Sequence, residues 1–102
     1  MTTHATIDLE TLSTKPDAVL LTIGAIKFDP FTMSDPHSKK LWRPSADEQM
    51  NADRSVLEST LQWWATQPQD IQDEAFSEDG RQPLSQFFAE LNKYLVGVDK
   101  IW

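Results

Sequence analysis

The chain has 102 residues, a length that fits one domain and excludes a second independent one. Hydrophobic residues make up 39% of it, including 4 Trp and 5 Phe, which is enough apolar area for one modest core and argues against wholesale disorder. The net charge of -7 repels nucleic-acid phosphates unless cations or a local basic patch intervene.

Cysteine is absent, which excludes thiol nucleophiles, thiolate metal cages and disulfides, and fits a reducing compartment. The longest apolar stretches fall far short of the ~20 residues that span a bilayer. The first four residues lack the basic start and apolar core of a signal peptide. The sequence therefore predicts a soluble cytoplasmic protein with no membrane partner.

Strand patterns occupy the first half of the chain. Residues 5–10 predict a short strand that leads into an acidic pair, and residues 19–28 predict a long apolar strand at the centre of a sheet. Turn-forming residues 12–17 separate these two strands. Residues 38–43 predict a third, edge strand. The central strand should pair antiparallel with both neighbours, and its Gly24 should permit close packing over it.

Helical spacing begins after Pro44. Ser55 and Glu58 fit a capping box, which predicts a helix over residues 55–66. Residues 68–76 predict a second short helix with a proline in its first turn.

The last part of the chain contains the clearest helix. Apolar residues spaced by three and four predict it over residues 84–95, with Gly97 as its stop. Residues 99–102 resemble the opening of a further strand. The order of three strands, helices and an incipient strand predicts an α/β fold with a mixed sheet, and any other small α+β domain is the alternative.

Two acidic side chains lie at the end of the first strand. Because strand residues two apart share a face, Asp8 and Glu10 should project together while Ile7 and Leu9 pack on the buried side. Two neighbouring carboxylates require a cation, a shared proton or open water. Mg²⁺ or Mn²⁺ suits such a pair, and a solvated strand face is the alternative.

The segments at residues 7–12 and 19–29 resemble the start of DEDDh 3′-to-5′ exonucleases of the ribonuclease H-like superfamily. The similarity is greatest to a compact bacterial and phage exoribonuclease-like branch. There, an Asp-Leu-Glu-Thr motif, an Ile-Gly-Ala strand and a Trp-Trp helix follow one another, as they do here. The resemblance spans nearly the whole chain but is weaker over residues 37–51. It implies an incomplete ribonuclease H-like mixed sheet of three antiparallel strands, then helices, then the start of a fourth strand.

This resemblance implies a two-metal phosphodiesterase acting on single-stranded RNA or DNA. In it, Asp8 bridges two Mg²⁺ or Mn²⁺ ions, Glu10 ligates one, and a metal-activated water attacks the terminal phosphate. Thr11 and Leu12 would contact the terminal nucleotide through a backbone N–H group and an apolar side chain. A plain turn is the alternative for these two residues.

Aromatic and basic residues supply further candidates. Trp64 shares a helix face with two leucines and should lie in the core, whereas Trp63 points about 100° away and could stack on a nucleobase. Lys39, Lys40 and Arg43 form a positive cluster that is either a solvated strand edge or a phosphate contact.

Neither histidine matches the position of the family's general base. We expect His4 at the surface near the N-terminus and His37 in a loop. The family's second Asp, its His and its last Asp are expected from the fourth strand onward. Residues 1–102 are therefore interpreted as the N-terminal portion of a single exonuclease-like domain, inactive when tested alone.

The alternative is a naturally shortened, non-catalytic exonuclease-like protein that acts through a partner protein or nucleic acid. An acidic decoy for a basic nucleic-acid-binding protein is a third hypothesis, and it rests on the net charge alone. An open sheet edge would favour a homodimer or a partner chain.

Overall fold

The computed structural model describes residues 2–102. That range contains an α/β arrangement of four strands and four helices. In chain order these are β1 (His4–Thr11), β2 (Leu20–Phe28), β3 (His37–Trp42), α1 (Ala46–Asn51), α2 (Glu58–Ala65), α3 (Gln69–Phe76), α4 (Leu84–Tyr94) and β4 (Lys100–Ile101). None of the described helices has the length and hydrophobicity needed to cross a membrane.

The strands form one open sheet in the order β3-β2-β1-β4. β2 pairs antiparallel with both β1 and β3, and β4 pairs parallel with β1. The predicted α/β class, the mixed sheet and the antiparallel pairing of the central strand are confirmed. This arrangement is consistent with part of a ribonuclease H-like sheet, and it places β3 at one edge as predicted.

Helix α4 covers one face of the sheet. Its Phe87 and Tyr94 are buried with Trp42, whose ring lies edge-on at centroid distances of 6.0 Å from Phe87 and 5.3 Å from Tyr94. Ala5 and Ile23 belong to the same cluster. The predicted amphipathic helix is thus confirmed, except that Phe88 points outward and is 51% exposed.

A second cluster joins the β1–β2 turn to α2 and α3. It contains Leu12, Val19, Leu21, Trp64 and Ala75. The Trp64 indole N–H donates to the Thr11 carbonyl over 2.9 Å, so a polar contact accompanies the apolar packing. The prediction that Trp64 is a core residue is confirmed.

The capping box predicted at Ser55 and Glu58 is wrong. α2 begins at Glu58 with Leu57 at the N-cap and no side-chain cap, because the Ser55 hydroxyl hydrogen-bonds that of Ser13 over 2.8 Å. The sequence reasoning also missed α1, where the Ser45 hydroxyl accepts from the Glu48 N–H over 3.2 Å.

Two local predictions on the sheet need correction. A Cβ built on Gly24 would meet no other atom of the described chain within 4 Å, so nothing packs closely over this glycine. His37 is the first residue of β3 rather than a loop residue. Its ring Nδ1 lies 2.9 Å from the Ser38 hydroxyl.

Candidate active site

Asp8 and Glu10 lie on the face of the sheet opposite α4. Asp8 is paired with Gly24 and Glu10 with Thr22, so regular strand alternation directs both side chains to one side. Both carboxylates are exposed. This is the arrangement expected from their spacing, and it leaves both side chains in contact with water.

The apolar residues between the acids differ from each other. Ile7 is half-buried against the cluster under α4. Leu9 is 51% exposed, although its cross-strand partner Ile23 is buried. The prediction that both are buried behind the acids is therefore wrong for Leu9, because the helical layer does not cover the last part of β1.

Each acid opens onto its own hollow. The Asp8 hollow, about 260 Å³, lies over Gly24 and is bounded on the β3 side by Lys39 and Lys40. The Glu10 hollow, about 160 Å³, lies between Thr22, Arg43 and Glu74. Because Gly24 has no side chain and nothing fills the space above it among residues 2–102, the backbone beside Asp8 is accessible.

Glu10 also lines a larger concavity at the end of β1, which we call the Trp63 pocket. It measures about 560 Å³. Trp63, 55% exposed, forms part of its wall, with its ring edge-on to Trp64 at a centroid distance of 4.9 Å. The remaining lining residues are Leu9, Thr11, Ser13, Thr14, Ser59, Thr60, Trp64 and Ile71. The pocket thus combines a carboxylate, several hydroxyls and an exposed indole.

Thr11 and Leu12 occupy different positions relative to this pocket. Thr11 is on its wall and donates its hydroxyl hydrogen to the Ser13 carbonyl over 2.7 Å. The Leu12 side chain is 5% exposed in the second cluster, and its N–H donates to the Val19 carbonyl over 3.0 Å. The aliphatic wall comes instead from Ile71 and from Leu9, which the sequence had assigned to the core.

A family model matches nearly the whole chain. The model of the 3′-5′ exoribonuclease Rv2179c-like domain matches residues 3–102. The chain belongs to this exoribonuclease-like family. No curated protein matches it. The candidate active site, which combines the acids of β1 with the Trp63 pocket, rests on the geometry described above.

The side chains around Asp8 and Glu10 show how many metal ions of the kind implied by the resemblance the described residues could hold. Among residues 2–102, no group of three or more His, Asp or Glu side chains is arranged to hold a metal ion. Asp8 and Glu10 are oxygen donors of the type that Mg²⁺ takes, usually one or two carboxylates completed by water and substrate phosphate. The described residues therefore fit one ion shared with substrate and do not meet the requirement of two.

The histidines lie away from the two acids. The His4 Nδ1 accepts from the Trp102 indole over 3.1 Å, and its ring lies edge-on to Phe28 at 5.8 Å. His37 lies at the exposed start of β3. Neither histidine lines the hollows around Asp8 and Glu10 or the Trp63 pocket.

Arg43 and Arg81 hold the C-terminal end of α3. Arg43 donates to the carbonyls of Glu74 and Ser77 over 2.7 and 2.9 Å, and Arg81 donates to that of Ala75 over 2.8 Å. Burial, together with the nearby charge of Arg43, lowers the pKa of Arg81. Arg43 is thus committed to the helix end. The positive cluster predicted from the sequence retains Lys39 and Lys40 as the charges beside Asp8.

Proposed function

We propose that this chain is the N-terminal portion of a metal-dependent 3′-to-5′ exonuclease domain that removes nucleotides from single-stranded RNA. The observation that carries the proposal is the placement of Glu10. Its carboxylate lines the Trp63 pocket, while the strand alternation places it on the same face as Asp8. A terminal nucleotide in the pocket would therefore have its phosphate next to both acids.

The Trp63 pocket supplies the binding part of the proposal. An exposed indole stacks on any nucleobase, and such stacking contributes ~1–3 kcal/mol per base. The hydroxyls of Ser59 and Thr60, at the start of α2, can donate to and accept from sugar oxygens. Thr11 belongs to the same wall and is proposed to contact the terminal nucleotide. The Leu12 contact stays a prediction, and Leu9 is the apolar side chain better placed for it.

Asp8 and Glu10 are the proposed ligands of Mg²⁺ or Mn²⁺. The net charge of -7 makes a cation necessary, because two bare carboxylates would repel the substrate phosphate. The bound ion would offset phosphate charge and provide an activated water. Asp8, on the strand face, and Glu10, which lines the Trp63 pocket, would hold this ion together.

A second ion needs donors that residues 2–102 do not supply around Asp8 and Glu10. We propose that they come from residues outside this sequence or from a partner chain, such as a second copy. The 102-residue chain tested alone should then bind one cation weakly and should not hydrolyse RNA or single-stranded DNA. The lack of cysteine supports the cytoplasm as the compartment of this activity.

The deciding experiment measures release of 3′-terminal nucleotides from single-stranded RNA by the product of the intact reading frame, with Mg²⁺ or Mn²⁺. Asp8→Asn and Glu10→Gln should abolish release and leave the circular dichroism spectrum unchanged. Asp17→Asn, an exposed acid in the turn before β2, is the matched control and should leave the rate unchanged. Release by Asp8→Asn at the wild-type rate would refute the proposal.

The same preparation tests the non-catalytic alternative. That alternative is favoured because, among the described residues, no third acidic or histidine side chain joins Asp8 and Glu10 in a metal-binding group. RNA binding without metal-dependent release by the intact product would support it. Faster release of nucleotides from single-stranded DNA than from RNA would be compatible with the proposed role of Asp8 and Glu10, but it would overturn RNA as the proposed substrate.

A further inference from the structure

A further concavity, which we call the lysine pocket, lies on the α4 side of the sheet at its β3 edge. It measures about 520 Å³ and is lined by Lys27, Lys39, Lys40 and Lys93, with Glu90 and Tyr94 completing most of its wall. Four of the six lysines in the sequence therefore meet in one place. In a chain of net charge -7, this is a strong local excess of positive charge, and it favours an anionic ligand.

The floor of the lysine pocket is held in place by Tyr94. Its ring is buried, and its hydroxyl donates to the Ser38 carbonyl over 2.7 Å, which ties α4 to the start of β3. The Lys27 ammonium lies over the Tyr94 ring at 4.3 Å from the centroid. The single lining carboxylate, Glu90, accepts from the Gln82 side chain over 2.6 Å. One lysine is thus positioned by the aromatic ring, and the acid is engaged by a side chain of the segment that precedes α4.

The lysine pocket is continuous with the site around Asp8. Lys39 and Lys40 line both the lysine pocket and the Asp8 hollow. Along β2, the residue opposite Asp8 is Gly24, three positions from Lys27, which is about 10 Å of extended strand. The positive charges therefore begin at the edge of the candidate active site and extend around β3 away from it.

We propose that the lysine pocket binds backbone phosphates of the single-stranded RNA that lie upstream of the terminal nucleotide. The strand would cross the edge of the sheet at Lys39 and Lys40 and enter the pocket between Lys27 and Lys93. This inference rests on the proposed function and adds the path of the substrate to it. Ammonium groups on flexible stems contact phosphates without reading bases, so the binding is independent of sequence.

The size and composition of the pocket favour a nucleic-acid backbone over an isolated phosphate. Its four lysines come from β2, β3 and α4, so a nucleic-acid backbone that crosses the concavity would meet positive charges from three elements. A strand that reaches from the Asp8 hollow into the lysine pocket satisfies all four. Each phosphate neutralised in this way releases counterions, which makes binding salt-dependent.

The test compares two double variants that remove the same charge. Lys27→Gln/Lys93→Gln changes the lysine pocket at positions away from Asp8, and Lys15→Gln/Lys100→Gln changes the two lysines outside the pocket. Fluorescence anisotropy measures binding of a labelled decanucleotide RNA and of a dinucleotide, in Mg²⁺, over a series of salt concentrations. Circular dichroism verifies that both variants fold.

The pocket variant should weaken decanucleotide binding about fivefold or more and reduce the slope of log affinity against log salt by roughly 1.4, the value for two phosphate contacts on a single strand. The affinity of the pocket variant for the dinucleotide should stay within about twofold of wild type. The affinity of the control, Lys15→Gln/Lys100→Gln, should stay within about twofold for both RNAs. Lys27→Arg/Lys93→Arg should restore decanucleotide binding.

Equal loss in both double variants would overturn the inference, because it would show a general charge effect. Equal loss for both ligands would also overturn it, because the pocket would then belong to the terminal nucleotide. Absence of decanucleotide binding by the wild-type chain would do the same. Failure of the proposed function is distinguished by hydrolysis with the product of the intact reading frame. If the proposed function is wrong, Asp8→Asn in that product releases nucleotides at the wild-type rate, whatever the lysine variants bind.

Discussion

The two faces of the sheet differ in what lies against them. On the α4 face, Ala5, Ile23 and Trp42 are between 0% and 2% exposed and pack with Phe87. On the opposite face, Asp8 is exposed and the space above Gly24 is open within the described chain. The same strands thus present a buried apolar cluster beneath Phe87 on one side and an accessible acidic surface on the other.

This difference assigns separate tasks to the two faces. A carboxylate pair under α4 would lose its hydration without gaining a partner, which costs several kcal/mol per ion. On the opposite face, both acids keep their contact with water and remain available to a cation. Substitutions in the buried cluster under α4 should therefore change stability, and those around Asp8 should change binding and chemistry.

The largest expected effect is on the α4 face. Phe87→Ala should lower the free energy of unfolding by ~3–5 kcal/mol, because it leaves a cavity against Trp42. Phe88→Ala, at the adjacent exposed position, should cost less than about 1 kcal/mol. Urea denaturation followed by tryptophan fluorescence measures both. Equal losses in the two variants would show that α4 does not stabilise the sheet through its buried face.

An intermediate effect is expected at Tyr94, where burial raises the pKa of the phenol. Tyr94→Phe should cost about 1 kcal/mol at neutral pH, because it removes the hydrogen bond to the Ser38 carbonyl. Above pH ~10 the unfolded phenol ionises while the folded one stays protonated, so the stability of the wild type falls as pH rises. The gap between wild type and variant should therefore narrow with increasing pH. A gap that stays constant through this range would contradict the burial argument.

The smallest expected effect is beside Asp8. Gly24→Ala should stabilise the chain by ~0.5–1 kcal/mol, because alanine restricts the unfolded state and its Cβ meets no atom of the described chain. Gly97→Ala is the contrast, since φ is +79° there and an alanine is strained. Thermal unfolding measures both shifts. Destabilisation by Gly24→Ala would show that another chain or segment covers this face.

The helix starts show the limit of local sequence patterns. Ser45 and Ser55 are each followed three residues later by a glutamate, so both fit a capping box. Only Ser45 caps a helix, since the Ser55 hydroxyl pairs with Ser13, 42 residues earlier in the chain. The Glu48 carboxylate does not complete its own box but accepts from the Leu84 N–H over 2.7 Å at the start of α4. Long-range contacts decided which of the two patterns became a cap.

The part of the candidate site that depends on periodicity within one element was predictable from the sequence. The positions of Asp8 and Glu10 on one face follow from strand periodicity. The different burial of Trp63 and Trp64 follows from helix periodicity. The burial of Leu9 and Leu12 did not follow from periodicity: the residue predicted to be buried is exposed, and the one predicted to contact the nucleotide is buried. Strand alternation placed Leu9 in the core, but the covering layer does not reach it, and Leu12 enters the second cluster from the turn.

Sequence alone was sufficient for the strands, for three of the four described helices, for the antiparallel pairing of the central strand and for the acidic pair. Each of these depends on spacing within one element or on a short turn. The tertiary structure decided which side chains share a concavity. Lys27, Lys40 and Lys93 come from β2, β3 and α4 and are separated by up to 66 positions, and they meet only when α4 packs on the sheet. Periodicity within an element cannot predict this clustering of lysines, because the clustering arises from packing between elements.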